Sequence, residues 1–192
     1  MPLTRNSARS KNRDTTIKQR ILNLIAAVEA QSPVTHSAGH GAAHWRRVCR
    51  NALRIARAMP GTDAGVAFLF GLFHDCARTG EDDEAGHGAR GAAMLEWMRG
   101  DSGFPADYFS GRQCDDAVFA CRTHTEAPPT ERAVIGACYD GDRLDLWHFG
   151  IEPDPAYLST RAGRMRAPHD DTDGAHDSLT WADLAEEFCQ RH

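Results

Sequence analysis

The chain lacks several features that would have settled its class at once. None of its six cysteines forms a Cys-x-x-Cys pair, so a zinc knuckle or a thioredoxin-like redox site is excluded. No apolar run approaches the roughly 20 residues of a membrane span. The first stretch, MPLTRNSARSKNRDTT, has no apolar core that could serve as a signal peptide. Basic charge is not in excess: the net charge is -5, which gives no reason to expect a nucleic-acid polymer as partner. There is no internal repeat, and no alternating polar and apolar run long enough to require a sheet. A cytoplasmic protein with reduced cysteines, most of them small buried hydrophobes, is the expectation.

The 192 residues suffice for one domain with a sizeable core. Hydrophobic periodicity points to an all-α fold. A polar tail is expected over residues 1–15. A helix from Thr16 to about Glu29 carries Ile17, Ile21, Leu24, Ile25 and Val28 on one stripe. A second helix follows Gly41 and runs to about Met59, with His44, Val48, Ala52 and Ile55 on one face and Trp45 beside them as a core residue. Thr62 or Asp63 can cap a third helix, which is apolar throughout and ends at His74-Asp75. Further helices follow: one after His87-Gly88 that carries Ala89 to Met98, one from about Gln113, and one after Thr130 as a cap. Residues 16–150 form the expected main domain. Residues 151–192 are expected to be irregular and then to form a short helix from Trp181, capped by Thr180 and packed on the same domain.

The residues that carry chemistry sit at or near the predicted helix ends: His44, His74, Asp75, His87, His124 and Asp142. Two adjacent helical residues point about 100° apart, so His74 and Asp75 share a cavity only where several helices converge. An ionised carboxylate buried there must be paired or must coordinate a metal. Imidazole with carboxylate suits Fe, Mn, Zn, Co, Ni or Mg. Four donors (His44, His74, Asp75 and Asp142) suffice for one divalent ion with open positions; all six suffice for two, bridged by Asp75. Asp140 competes with Asp142, but the Asp-Arg-Leu context favours Asp142, and Asp145 is expected to pair with an arginine. His36, His148, His169, His176 and His192 are assigned no role.

The ordered set of His44, His74-Asp75, His87-Gly88, His124-Thr125 and Asp142-Arg143-Leu144 resembles the HD-domain superfamily of metal-dependent phosphohydrolases. The likeness spans roughly residues 40–146. The added His87 and His124 resemble its binuclear branch, as in the bacterial HD-domain diadenosine tetraphosphate hydrolases. The resemblance implies a helical bundle with one or two metal ions in a central cleft, and hydrolysis of a phosphate ester or anhydride of a small molecule, a nucleotide above all. It implies Asp75 at the centre of catalysis. Many mononuclear members carry an acidic residue three positions after the His-Asp pair. Here that position is Arg78, a cation for a phosphate or for a salt bridge that supports a ligand. His40, one turn before His44, is expected to contact substrate or orient a ligand, and Arg90, Arg46 or Arg47 to neutralise phosphate charge. The same six donors also resemble myo-inositol oxygenase and related di-iron oxygenases. A non-catalytic regulatory protein that keeps its metal for structure is the third reading. Trp147, Phe149 and Tyr157, taken as exposed, are candidates for a homodimer contact.

Overall fold

Helix α3 (Ala64–Phe73) is apolar on every side, and that property decides where it goes. Residues 65–73 are all buried, as expected of a helix with no polar face to offer water. Asp63 caps it, accepting from the backbone N–H groups of Gly65 and Val66. Against it lie α2 (Ala42–Ala58), α5 (Gly111–Thr123) and α6 (Ala133–Arg143). The approach of α2 is close because Gly71 has no side chain: a Cβ there would sit 2.4 Å from Cβ of Cys49.

The computed structural model describes residues 5–82, 86–169 and 178–190, with side chains from Thr16 onward. Helices account for all regular structure among these residues, so the fold is all-α. None of these helices is long and apolar enough to cross a membrane. The six cysteines are free thiols, five of them buried.

Helix α1 (Arg5–Gln31) begins well before the Thr16 expected from its apolar stripe. Residues 5–15 contain neither glycine nor proline to break a helix, so the polar segment continues the turn where a tail was expected. The stripe itself is confirmed: Ile21, Leu24, Ile25 and Val28 are buried and Ile17 is partly so. Helix α4 (His87–Met98) packs antiparallel to α5, with Arg99 paired to Asp115 at one end and His87 beside His124 at the other. Ser110 and Gln113 form a capping box on α5, and the Gln113 amide also donates to the Asp63 cap of α3. The cap of α6 is Arg132, where Thr130 was expected; the Thr130 hydroxyl instead accepts from the Arg132 N–H, two residues too early to cap.

The C-terminal part is more ordered than its composition suggests. Asp140 is fully buried and accepts from the N–H groups of Ser159 and Thr160 and from the Thr160 hydroxyl, at 2.6–2.7 Å. It thereby anchors a short helix α7 (Arg161–Arg166), capped by Thr160, in a region expected to be irregular. A small second core of Ile55, Ala137, Leu144, Leu158 and Ala167 forms beneath it. The final helix α8 (Trp181–Cys189) starts at the Thr180 cap as expected. It lies on α1 through Trp181 with Glu29 and Lys18 with Glu186, and stacks Phe188 on Phe68 with ring centroids 4.7 Å apart. His176 and His192 lie outside the described residues.

Asp140→Ala would strand three donors, the buried amide and hydroxyl of Thr160 and the part-buried amide of Ser159. At about 1 kcal/mol or more for each unsatisfied group, global stability is expected to fall by about 3 kcal/mol in urea unfolding. Helical content should be retained, and the amides of Ser159 and Thr160 should lose exchange protection. Unchanged stability would mean that Asp140 does not anchor α7.

Candidate metal centre

Helix ends converge on one cleft of about 220 Å³. His74 is the C-cap of α3 and His124 the C-cap of α5. His87 is the first residue of α4, His44 the third of α2, and Asp142 stands in the last turn of α6. The negative ends of α3 and α5 therefore face the same space, which favours a cation there. Gly88 makes the approach of α4 possible: a Cβ would meet the Cys121 carbonyl oxygen at 2.2 Å and the His124 ring at 3.0 Å.

All six expected donors are brought together. His44 Nε2 lies 3.1 Å from His74 Nε2, 3.5 Å from Asp142 Oδ1 and 3.6 Å from Asp75 Oδ2. His87 Nε2 lies 3.2 Å from His124 Nε2 and 3.3 Å from Asp75 Oδ1, and His124 Nε2 is 3.7 Å from the same oxygen. Asp75 thus turns one oxygen to each group. Its Oδ1 is buried and makes no hydrogen bond among the described residues. His40, at the mouth, stands 3.0 Å from the other oxygen through Nδ1.

The ring orientations can be deduced for three of the histidines. His74 Nδ1 faces the carbonyl oxygens of Phe70 and Gly71, at 3.2 and 3.3 Å, and His124 Nδ1 faces that of Cys121 at 2.8 Å. His44 Nδ1 faces Asp145 Oδ2 at 2.7 Å. These oxygens can only accept, so each Nδ1 carries a proton and each Nε2 turns to the cleft. Imidazole nitrogens about 2.1 Å from one ion, at right angles, stand about 3 Å apart. The two Nε2 pairs have that spacing.

The electrostatics express the same demand for positive charge. Burial works against the Asp75 anion, yet the imidazoles of His74, His124 and His40 hold its carboxyl well below the usual range. Asp142, also resisted by burial, is pulled down by His44, and Asp145 by His44 and Arg47. Burial pulls His44 down, but the Asp142 and Asp145 carboxylates outweigh it and push the ring up to about 10. His124 rises against burial through Asp75, whereas burial dominates at His74 and holds it at about 4. With three ionised carboxylates among them, two of the imidazoles are drawn towards protonation. Buried clusters of this composition could hold a metal ion: His44, His74 and Asp142 form one group, Asp75, His87 and His124 another, and His40 with His44 and Asp75 a third.

The arginines divide. Arg78 is buried in the lining, its Nη1 3.6 Å from Asp75 Oδ1 and 3.3 Å from His87 Nδ1. Arg90, expected at the substrate, is not in the lining; its Nε donates to the Ala77 carbonyl. Arg46 is absent from the lining as well, and Arg47 is buried behind His44, paired to Asp145. The expected arginine partner of Asp145 is therefore present, but its contact with His44 went unforeseen. So did Thr125, whose hydroxyl is 3.1 Å from His87 Nε2, and Leu146 in the cleft wall. Asp140 does not compete with Asp142, because its carboxylate is spent on α7. Of the three aromatics offered for a dimer contact, Trp147 is partly buried and donates to the Ala167 carbonyl, whereas Phe149 and Tyr157 are exposed.

No protein-family model, curated protein or solved structure matches this chain. The functional argument rests on the site itself.

Asp75→Ala is expected to abolish metal uptake with the helical circular dichroism retained, and His87→Ala to halve the metal bound per chain in elemental mass spectrometry. Metal content unchanged in Asp75→Ala would dismiss the centre; unchanged in His87→Ala, it would remove His87 from it.

Proposed function

We propose that the chain is a metal-dependent phosphohydrolase of the HD-domain type, with two divalent ions and a small phosphate ester or anhydride, such as a nucleotide, as substrate. The observation that carries this reading is the division of Asp75: one buried carboxylate with imidazole nitrogens gathered separately at each of its oxygens. Such a carboxylate suits a bridge between two ions, with His44, His74 and Asp142 on one side and His87 and His124 on the other. A divalent ion held there would polarise a phosphoryl oxygen and lower the pKa of a bound water.

The chain's own groups supply the rest. Arg78 is a buried cation beside Asp75 and His87, placed to neutralise phosphate charge. His40 is partly exposed at the mouth and can meet an entering phosphate before the deeper donors do. Phe149 and Leu146 leave apolar surface at the rim, and His40 and Phe149 have ring centroids 6.5 Å apart. That surface suits the organic part of a substrate whose anionic end lies among the imidazoles. The modest cleft and the acidic net charge favour a small molecule over a polymer.

Elemental mass spectrometry on protein purified without added metal or chelator is expected to find about two ions per chain. Phosphate release should follow from nucleoside mono- and polyphosphates with manganese, cobalt or iron. Arg78→Ala should lower that rate by about 100-fold, the usual loss on removing one charge-stabilising donor, at unchanged metal content. Iron with oxygen consumption and no phosphate release would replace this reading with the di-iron oxygenase. Bound metal with no turnover of either kind would leave a structural centre.

A further inference from the structure

His44 is held differently from the other two histidines whose orientation is fixed. His74 and His124 end their helices, so carbonyls three or four residues back are at hand for Nδ1. His44 is in the first turn of α2, with no helical turn before it to supply such a carbonyl. Its Nδ1–H goes instead to Asp145 Oδ2, contributed by the 3₁₀ turn Leu144–Phe149 that follows α6. Asp145 is in turn gripped by Arg47, one turn along α2 from His44. Arg47 Nε donates to Oδ1 at 2.7 Å and Nη2 to Oδ2 at 2.9 Å. His44, Arg47 and Asp145 are all at least nine-tenths buried. The carboxylate of this bidentate pair borders the cleft, but its oxygens are already engaged by Arg47 and His44 and its charge repels a phosphate, so the pair has no part in holding one. What it can do is set an angle.

We propose that Asp145 and Arg47 are positioning residues of the metal centre: Asp145 holds the His44 ring with Nε2 turned into the cleft, and Arg47 holds Asp145 in place. This rests on the reading of the cluster as a metal centre, and it concerns residues outside the six donors. Carboxylates behind ligating imidazoles commonly act this way, and their loss costs about 10- to 100-fold in metal affinity.

The chemistry of an amide makes the test specific. In Asp145→Asn the side chain keeps its shape but has one acceptor and two donors. Whichever way the amide is turned, its NH₂ meets an Arg47 N–H, donor against donor, so it cannot occupy the carboxylate's position. Replacing Arg47 as well removes that clash. In Arg47→Met/Asp145→Asn the amide oxygen is free to accept from His44 Nδ1. In Arg47→Met/Asp145→Leu nothing is there to accept.

Zinc affinity of the full-length protein, measured by competition with a chromophoric chelator, reads this directly. Asp145→Asn is expected to bind the tighter-held zinc about 10- to 100-fold more weakly than wild type. Arg47→Met/Asp145→Asn should recover most of that loss, and Arg47→Met/Asp145→Leu should not. Asp140→Ala, which weakens the fold on the far side of α6, should leave zinc affinity unchanged. Wild-type affinity in Asp145→Asn would overturn the proposal and leave the metal centre standing. Equal affinities in the two double variants would overturn it whether or not the single variant folds. No zinc uptake by the wild-type protein would overturn the metal centre, and this assignment with it.

Discussion

The burial of the Asp75 carboxylate is the constraint on which the rest of the site depends. A charge taken so far from water costs several kcal/mol unless partners replace its hydration. The chain meets this by surrounding one residue with side chains from several helices. His44 approaches through α2, His74 through α3, His87 and His124 through the α4–α5 pair, and Arg78 from the turn after α3. The packing serves the same end. Gly71 and Gly88 let α2 and α4 approach closely enough for their imidazoles to reach the carboxylate. Filling either gap would move a donor away from the charge it answers.

Much of this was legible in the sequence, because the signals were local. The period of Ile21, Leu24, Ile25 and Val28 gave the buried face of α1, and the unbroken apolar run gave the central place of α3. Histidine and aspartate at helix ends, after such runs, located the cluster. What the sequence did not reveal lies in contacts between distant segments. The Asp142-Arg143-Leu144 context favoured Asp142 over Asp140 as a donor, but no sequence signal assigned Asp140 a task of its own. Only the fold shows that one holds the backbone of Ser159 and Thr160 while the other enters the cleft. Arg90 was expected to neutralise phosphate charge. Its guanidinium instead reaches the Ala77 carbonyl. The 150–169 region looked irregular because its order comes from Asp140 and from a small core beneath it, and not from its own periodicity.

The division of labour among the polar residues is sharp. Of the groups that face the cleft, Asp142 and His40 keep some contact with solvent, whereas the other donors are buried. Arg47 and Asp145, beside His44, are buried and paired to each other. A ligand entering the cleft therefore meets donors whose directions are already fixed. Little reorganisation is left to be done on binding.

The helix ends also have a topological meaning. This chain has six free thiols and no covalent link between distant segments. An ion held by His44, His74 and Asp142 would fasten α2, α3 and α6 to one another, and one held by His87 and His124 would fasten α4 to α5. Asp75 would join the two knots. Such a centre would act on the unfolded chain as a set of cross-links, closing several long loops through one point. It would give this disulfide-free helical protein a reversible form of the restraint that other proteins obtain from cystine.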